Sequence, residues 1–473
     1  MRLRFLLNGA ASKIRRWIFT DQRPAMIADE LIAAQPPALI AFGARPAVRG
    51  NRAYAGSRRR RALHAPRLRK LSWRRRRRRR SPHCRSAQKN HRAVYPQLED
   101  DMHVGVPKEI KNHEYRVGLT PSSVREMVAH GHTVTVETGA GNGIGASDAV
   151  YEKAGAKIVP RAEEVFATAE LIIKVKEPQA GERAMLREGQ ILFTYLHLAP
   201  DPAQCADLVK SNAVCIAYET VTQAAGGLPL LAPMSEVAGR MSIQAGAFCL
   251  ERAHGGKGIL LGGVAGVPSA KIVILGAGVV GSNAAQIAVG TGAQVAVIDR
   301  NLDALRRMDR LLGARVMTVF SNQDNVEKHV LEADLVIGGV LIPGAAAPKL
   351  VTRAMVEAMQ PGAAIVDVAI DQGGCCETAR PTTHAEPTYR VGDVVHYCVA
   401  NMPGGVPRTS TYALNNATLP FALQIADKGW RKALQDDAHL RNGLNVALGK
   451  VTCREVAEAL DYTWESPESV MAM

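Results

Sequence analysis

Four side chains between residues 116 and 197 could together handle a small organic acid. Arg116 could hold a carboxylate in a bidentate grip, and Lys174 or Lys176 could place a point charge on a carbonyl oxygen. His197 could exchange a proton near neutral pH. These residue types favour a small anionic substrate and a reaction that includes a proton transfer.

Each of these residues has a simpler interpretation when it is taken alone. Arg116 could be a solvated surface charge, and His197 could be a histidine of the apolar core. Lys174 and Lys176 could lie on an edge strand, where charged side chains discourage aggregation. The chemical interpretation therefore depends on the elements that bring the four side chains together.

The neighbouring sequence predicts those elements. Thr120 and Pro121 have the pattern of a helix N-cap and first helical residue, four residues after Arg116. Residues 171–178, LIIKVKEP, predict a strand whose two lysines face the same side. Residues 191–200, ILFTYLHLAP, predict another strand, with His197 near its end.

A dinucleotide-binding pattern follows in residues 271–299. A short apolar strand leads into Gly276, Gly278 and Gly281, which form GxGxxG, and residues 279–289 continue as a helix. The first glycine permits the tight turn, the second lets the backbone approach a pyrophosphate, and the third lets helix and strand pack closely. The helix N-terminus presents its free N–H groups to the phosphates.

Asp299 closes this pattern at the end of a second predicted strand, residues 294–298. A carboxylate at this offset can accept hydrogen bonds from the adenosine ribose, which favours NAD over a cofactor with a 2′-phosphate. The adjacent Arg300 keeps a cofactor with a 2′-phosphate as an alternative, because an arginine can bind that phosphate. A nicotinamide cofactor together with the cations and His197 predicts a dehydrogenase that acts on a carboxylate-bearing substrate.

Further strands are predicted at residues 333–340, 362–370 and 394–399. Alternation of strands and helices predicts a parallel, doubly wound sheet, in which ligands bind beyond the carboxyl ends of the strands. Asp371 follows one predicted strand and is therefore well placed to meet a substrate. Asn401 lies in a turn-rich loop after another.

The positive charge of the chain is confined to its first fifth. Residues 1–101 hold 26 Lys+Arg against 6 Asp+Glu, including seven consecutive arginines at residues 74–80. Residues 102–473 hold 33 against 38, which is typical of a soluble enzyme and unlike a polyanion-binding protein. We interpret residues 1–101 as a disordered or non-native extension, with Met102 as the functional start. A basic tail that binds nucleic acid through nonspecific phosphate attraction is the alternative.

Eight cysteines contribute little to the interpretation. No CxxC or His/Cys spacing indicates a zinc site, so we expect no metal. The adjacent pair Cys375 and Cys376 could be redox-sensitive, or both thiols could simply pack in a loop. A chain of this length needs no disulfides, which favours a reducing cytoplasm.

Several motifs from Met102 to the C-terminus resemble bacterial L-alanine dehydrogenase. They are GVPKEIKNHEYRVGLTP, KVKEP, YLHLAP, LLAPMSEVAGRMSIQAGA, ILGAGVVG, DVAIDQGGC, RPTTH and YCVANMPGGVPRTSTYALNNAT, in this order. The resemblance implies reversible, NAD-dependent conversion of L-alanine and water to pyruvate and ammonium. It also implies a homohexamer of two-domain subunits. It does not extend to residues 1–101.

The resemblance also implies roles for individual residues. Arg116 and Lys176 would bind the substrate, while Lys174 would be structural or supporting. His197 would be the general acid and base, and Asp371 would assist the water and ammonia steps. The implied cofactor-binding residues are Ser235, Gly276, Gly278, Gly281, Asp299, Ser321 and Asn401.

The expected fold class is α/β, with two Rossmann-like doubly wound parallel-sheet domains and a cleft between them. The resemblance implies a substrate domain of residues 102–230 and 408–473 and an NAD-binding domain of residues 231–407. A long helix over residues 230–256 would connect them, with Ser235 as its N-cap and Gly255 and Gly256 as its stop. Small residues at positions 238, 239, 245 and 246 would allow close packing of this helix.

The nearest alternative enzyme is the NAD-binding part of a proton-pumping transhydrogenase, which shares much of this fold. The sequence contains no segment of roughly 20 apolar residues that would span a bilayer. Glycine formation from glyoxylate also stays open, because a pocket for a methyl group discriminates poorly against a hydrogen atom.

Overall fold

The computed structural model describes residues 101–340 and 347–473. The interpretations of the Arg-rich extension and of its alternative role as a nucleic-acid-binding tail lie outside the described residues.

The first part of the chain alternates strands with helices. Its strands are β1 (His103–Val106), β2 (Thr133–Glu137), β3 (Lys157–Val159), β4 (Leu171–Ile173), β5 (Ile191–Thr194) and β6 (Val214–Ala217). Its helices are α1 (Pro121–Ala129), α2 (Asp148–Ala154), α3 (Ala162–Thr168), α4 (Ala180–Arg183) and α5 (Pro202–Ser211).

The middle part repeats this alternation after a long helix, α6 (Ala232–Leu250). Its strands are β7 (Lys271–Leu275), β8 (Gln294–Asp299), β9 (Met317–Phe320), β10 (Leu335–Gly338), β11 (Ala364–Asp367), β12 (Thr388–Val391) and β13 (Val394–Tyr397). Its helices are α7 (Val279–Gly290), α8 (Leu302–Leu312), α9 (Gln323–Glu332) and α10 (Arg353–Ala358).

The last part returns to the first. It begins with the long helix α11 (Pro407–Asp436), in which Gly429 has a non-helical conformation with φ 70°. The remaining elements are α12 (Ala438–Arg441), β14 (Leu444–Ala447), β15 (Lys450–Val451), α13 (Arg454–Leu460) and α14 (Pro467–Met471).

Two sheets result, and they share one strand order. The first runs β3-β2-β1-β4-β5-β6 with parallel neighbours and is extended by the antiparallel strands β14 and β15. The second runs β9-β8-β7-β10-β11-β13, also parallel, and is extended by the antiparallel strand β12. Both are the 3-2-1-4-5-6 order of a doubly wound sheet. The predicted α/β class with two Rossmann-like sheets is confirmed.

The inner strands explain why the sheets are parallel. β4, β5, β6, β10 and β11 are buried at every position, as expected when helices cover both faces, and all their residues are apolar except Thr194 at the end of β5 and Asp367 at the end of β11. The observed strands are shorter than predicted. The segments predicted as strands at 171–178, 191–200 and 362–370 keep strand structure only at Leu171–Ile173, Ile191–Thr194 and Ala364–Asp367. Each prediction ran past the carboxyl end of its strand, into a loop after β4 and β5 and into the 3-10 helix Val368–Gln372 after β11.

The helix α6 corrects another prediction. It begins at Ala232 after Leu231, so Ser235 lies in the first turn and is not the N-cap, and it ends at Leu250, before Gly255. The predicted close packing is confirmed at Gly239, where a Cβ would lie 2.2 Å from the carbonyl oxygen of Val280 in α7. Only a residue without a side chain permits this approach.

Candidate active site

The candidate site lies at the switch points of the two sheets. In a doubly wound sheet this is where neighbouring strands lead to helices on opposite faces, so that a crevice opens beyond their carboxyl ends. In the first sheet it lies between β1 and β4, whose following loops carry Arg116 and Lys176. In the second sheet it lies between β7 and β10, and β7 leads directly into Gly276.

Arg116 is held in place by the loop that precedes α1. The predicted N-cap is confirmed, because Thr120 Oγ1 accepts a hydrogen bond from the Ser123 amide at 3.2 Å and Pro121 starts the helix. Gly118 presses this loop against the end of β4, since a Cβ there would lie 2.2 Å from the Ile173 carbonyl oxygen. The loop therefore brings Arg116 to the carboxyl end of the neighbouring strand.

The guanidinium of Arg116 is buried and fully engaged along one edge. Its Nε donates to Glu114 Oε1 at 2.7 Å, and its Nη2 donates to Glu114 Oε2 at 2.5 Å and to Asn401 Oδ1 at 2.7 Å. Nη1 contacts the sulfur of Met234 at 3.0 Å. Only 2% of the residue is exposed, so the interpretation as a solvated surface charge is wrong. The expected bidentate grip on a substrate needs revision, because Glu114 already occupies that edge and only the Nη1 side is left.

Asn401 joins this cluster from the second sheet. Its Nδ2 donates to Glu114 Oε2 at 2.9 Å, and its backbone has the left-handed conformation with φ 64°. Burial alone would raise the pKa of Glu114, but the hydrogen bonds and charge of Arg116 and the amide of Asn401 lower it to about 2. A charged carboxylate, a guanidinium and an amide thus connect the loops of both sheets.

Lys174 has a structural environment. It follows β4, which lies between β1 and β5, so the interpretation as an edge-strand lysine is wrong. Its Nζ donates to Glu182 Oε1 at 2.7 Å and to Glu109 Oε2 at 3.1 Å, and all three side chains are buried. Burial lowers the pKa of Lys174, but the two carboxylates outweigh this and raise it. The lysine is therefore charged and has no free direction toward a ligand.

Lys176 contrasts with it. The side chain is half-buried, and its ammonium makes no hydrogen bond or ion pair with any residue that the structure describes. Burial lowers its pKa, Glu177 opposes this, and the charge of Arg116 lowers it further. Its backbone is fixed, because Thr194 Oγ1 donates to the Lys176 carbonyl at 3.0 Å. A positioned cation without a partner can bind an anionic or carbonyl oxygen.

His197 lies just beyond β5 in an unusual conformation. Its φ of 50° is rare for a residue with a side chain, and the backbone amides of Leu196 and His197 both donate to Glu219, at 3.1 Å and 2.6 Å. The ring stacks on Tyr195, with 5.7 Å between centroids, and its side chain is 42% exposed. The interpretation as a core histidine is therefore wrong. Nδ1 lies 3.9 Å from Glu219, which leaves Nε2 available to a substrate.

Asp371 reaches the site from the second sheet. It lies in a short 3-10 helix, Val368–Gln372, directly after β11, and its side chain is exposed. The described residues provide no hydrogen-bond partner for its carboxylate. Its negative charge raises the pKa of Lys176 against the effect of burial, so the two groups lie within electrostatic range. The two sheets therefore bring a free cation and a free carboxylate together.

The glycine turn has the geometry of a pyrophosphate-binding loop. Gly276 has φ 100°, and a Cβ on Gly281 would lie 1.8 Å from the Gly276 carbonyl oxygen, so neither position accepts a side chain. Gly278 immediately precedes α7 and faces open space. The backbone of this tight turn is therefore open to the approach of a ligand.

The carboxylate of Asp299 binds the same turn. Its Oδ2 accepts the Ala277 amide at 2.6 Å and its Oδ1 accepts the Asn301 amide at 2.7 Å, so the carboxylate is fixed beside the glycines. Ser321 follows β9 on the neighbouring strand and donates its amide to the Asp299 carbonyl at 3.0 Å. Ser235 lies apart from them in α6, and its amide donates to the Leu231 carbonyl. Turn, carboxylate and helix N-terminus thus fit a dinucleotide.

Sequence reasoning missed the carboxylates that hold the site together, Glu109, Glu114, Glu182 and Glu219. Glu219 could have been found, because it follows the buried strand β6 at the carboxyl edge where ligand-side residues cluster. Glu114 had a weaker signal, a carboxylate two residues before Arg116. The buried ion pair of Lys174 with Glu182 joins different elements and left no local pattern.

The cysteine pair follows Asp371 closely in the chain. Cys375 and Cys376 are both buried, and burial raises the pKa of both thiols, which opposes formation of a reactive thiolate. Packing in a loop, one of the two interpretations of this pair, fits these surroundings. In the described part of the chain, no group of three or more His, Cys, Asp or Glu side chains has a metal-binding arrangement.

The described helices include none with the length and apolar character needed to cross a membrane.

Two family models match the chain. The model described as "Alanine dehydrogenase/PNT, N-terminal domain" matches residues 105–238, and the model described as "Alanine dehydrogenase/PNT, C-terminal domain" matches residues 242–454.

Curated relatives extend the match. An alanine dehydrogenase of Halomonas elongata is 59% identical over 370 residues, which are 78% of this chain and 100% of that protein. An alanine dehydrogenase of Bacillus subtilis is 55% identical over 371 residues, which are 78% of this chain and 98% of that protein.

Solved structures agree with these relatives. A structure described as L-alanine dehydrogenase has a TM-score of 0.74 and 52% identity, and the match covers 76% of this chain and 99% of that one. A transhydrogenase from Sinorhizobium meliloti has a TM-score of 0.63 and 27% identity, with 74% and 98% covered. The chain therefore belongs to the alanine dehydrogenase/PNT family.

Proposed function

We propose that this chain is an L-alanine dehydrogenase that converts L-alanine, NAD and water reversibly to pyruvate, ammonium and NADH. The observation that carries the proposal is the meeting of two sets of groups at one pair of switch points. A free lysine, an exposed histidine and a free carboxylate lie beyond the strands of two sheets, one of which also carries the dinucleotide turn.

The chain's residues fit NAD. The turn at Gly276, Gly278 and Gly281 leaves room for a pyrophosphate at the N-terminus of α7, and Asp299 is fixed where a ribose would lie. We assign Ser321 on the neighbouring strand, and Ser235 and Asn401 from the family resemblance, to the same cofactor site. When bound, NAD accepts a hydride from the α carbon of the substrate.

The substrate would lie between the two cations. Lys176 has no partner among the described residues and would bind the keto oxygen of pyruvate, where negative charge develops. Arg116 would bind the carboxylate through its Nη1 side. Because Glu114 and Asn401 hold the other edge of the guanidinium, Arg116 would act as a fixed, directional donor.

Proton transfer falls to His197 and Asp371. His197 Nε2 would give and take protons at the substrate oxygen, since Glu219 faces the other ring nitrogen. Asp371 would hold a proton or a water molecule during the steps that add water and release ammonia. Both side chains are exposed in this structure, so closure of the two halves over the substrate would exclude bulk water.

We further infer the organisation of the protein from the family resemblance. Residues 102–230 and 408–473 would form the substrate domain, and residues 231–407 the NAD-binding domain. The protein would assemble as a homohexamer and work in the cytoplasm. Sedimentation velocity on the full chain tests the assembly, since a hexamer and a dimer differ threefold in mass.

The competing function is that of a transhydrogenase NAD-binding subunit. The similarity to the Sinorhizobium meliloti structure is the observation that favours it. The experiment that separates the two is NADH oxidation by the full chain with pyruvate, with and without ammonium. Ammonium-dependent oxidation, with L-alanine as product by chromatography, supports the proposal. Binding of NADH without turnover would contradict it. Glyoxylate as a second substrate measures how strictly the pocket requires the methyl group.

A further inference from the structure

Residues 347–351, here called the strap, hold the segment that carries Asp371. The carbonyl oxygens of five consecutive residues, 372–376, all accept hydrogen bonds from the strap. Backbone amides serve two of them: Ala347 donates to Gln372 at 3.0 Å, and Leu350 donates to Cys375 at 2.8 Å. The other three acceptors are bound by one side chain, that of Lys349.

The ammonium group of Lys349 makes three hydrogen bonds to this segment. Its Nζ donates to the carbonyl oxygens of Gly373 at 2.5 Å, Gly374 at 2.9 Å and Cys376 at 3.2 Å. Three N–H donors meet three acceptors, so the ammonium has no donor left for an ion pair. An exposed lysine that binds only backbone carbonyls is placed to fix a backbone conformation.

The backbone of this segment is conformationally free unless other residues hold it. Gly373 and Gly374 have φ values of 86° and 76°, and glycine is the most flexible residue in the unfolded and loop states. Asp367 holds the segment from the inner side. Its buried carboxylate accepts the amides of Ala369 and Cys376, both at 3.1 Å, and so ties the start of the segment to its end.

Asp371 directly precedes residues 372–376, and its own carboxylate has no hydrogen-bond partner among the described residues. Its position toward Lys176 therefore depends on the backbone beneath it. We propose that Lys349 is a positioning residue for Asp371, which sets the direction of the carboxylate by clamping the carbonyls of residues 373, 374 and 376. This inference rests on the function proposed above.

The test is a double-mutant cycle in the full chain. We compare the wild type, Lys349→Met, Asp371→Asn and the double variant by steady-state amination of pyruvate. Lys349→Met should lower kcat about tenfold or more, because displacement of a catalytic group by roughly 1 Å can cost up to 10²-fold. The KM for NADH should stay within about twofold, since the glycine turn is untouched.

The cycle separates positioning from a merely structural role. If Lys349 acts through Asp371, Lys349→Met should have almost no further effect in the Asp371→Asn background. Lys271→Met is the matched control, because Lys271 is a similarly exposed lysine that pairs with exposed Glu332. This control should retain the wild-type kcat and denaturation midpoint.

The outcomes are distinct. A wild type without ammonium-dependent activity would overturn the proposed function, and this inference with it. An active wild type whose kcat is unchanged in Lys349→Met would overturn the inference alone, and so would equal effects of that change in both backgrounds. Loss of folding in Lys349→Met, seen as a large drop in denaturation midpoint, would show a structural role and also contradict the inference.

Discussion

The site contains two regions that treat charge in opposite ways. In the first region, which we call the braced region, Arg116 is paired with Glu114 and Asn401, and Lys174 is paired with Glu109 and Glu182. In the second, the free region, Lys176, His197 and Asp371 are half-buried or exposed, and neither Lys176 nor Asp371 has a hydrogen bond from its charged group to any described residue. The two regions are close in the chain at one point, where Lys174 and Lys176 lie two residues apart.

The difference follows from the cost of burial. A charge removed from water must be paired and hydrogen-bonded, or it shifts its pKa toward neutrality. The buried carboxylate of Glu114 has a pKa of about 2 because its partners outweigh burial, whereas the pKa of Lys176 is lowered because burial and the charge of Arg116 outweigh the opposing charge of Glu177. Paired groups fix the loops, whereas unpaired groups stay available to a ligand, as does the Nη1 side of Arg116.

The largest expected effect is in the free region. His197→Gln should lower kcat for pyruvate amination by about 10²–10⁴-fold, because a positioned acid and base typically contributes that much. The denaturation midpoint should stay unchanged, since the ring is exposed and the Glu219 contacts go to backbone amides. His254→Gln, at a partly exposed histidine that stacks on Phe248, is the control. Retention of kcat in His197→Gln would remove its assigned role.

A change in the braced region should act mainly on stability. Glu114→Gln leaves a buried guanidinium without its charge partner, which should lower the free energy of unfolding by about 3–5 kcal/mol. Chemical denaturation at pH 7 measures this, with exposed Glu126→Gln as the matched control. A loss below about 1 kcal/mol would show that the ion pair does not hold the loop.

The same pair should make stability depend on acid. The pKa of Glu114 in the folded chain is about 2, below its ordinary value of 4.5, so the folded state favours the charged form. Its stabilising contribution is complete above pH 4.5 and is lost as the pH falls through about 2. The difference in unfolding free energy between wild type and Glu114→Gln should therefore shrink from about pH 5 toward pH 2. A constant difference would contradict the pairing.

A smaller effect is expected at the cofactor. Asp299→Asn keeps an oxygen that can accept the Ala277 amide but removes the charge that opposes a 2′-phosphate. The KM for NAD should rise about three- to tenfold, in line with loss of a charge-assisted hydrogen bond, and the KM for NADP should fall. Asp303→Asn, an exposed change in α8, should alter neither. An unchanged NAD to NADP ratio would mean that Asp299 does not read the ribose.

Much of the fold was accessible from sequence because it depends on local signals. Apolar runs, the Thr120–Pro121 cap and the glycine turn each report on neighbouring residues, and each was placed correctly. Strand ends were placed less well, because residues such as Val175, Leu196 and Ile370, which follow β4, β5 and β11, are buried and apolar like strand residues but lie outside the strands. Ser235 was taken as an N-cap although α6 already begins at Ala232.

The positions of Lys176, His197 and Asp371 after strands were also predicted, but the side chains that surround the site were not. Each of these residues follows a strand, and such a position can be read from the amino-acid sequence alone. The partners of Arg116 and Lys174 are set by tertiary contacts such as Asn401, which is 285 residues away from Arg116 in the chain. The sequence therefore pointed to the candidate ligand-binding residues, and the structure added the residues that hold their loops.

Lys174 and Lys176 offer the most direct measurement, because they are two residues apart and belong to different regions. We would measure kcat/KM for pyruvate and the free energy of unfolding in Lys174→Met and Lys176→Met, side by side. Lys176→Met should lower kcat/KM by about 10²-fold or more and leave unfolding unchanged, since its ammonium has no described partner. Lys174→Met should lower the unfolding free energy by about 3–5 kcal/mol, because two buried carboxylates lose their cation. Equal effects of the two changes on both quantities would contradict the division into a braced and a free region.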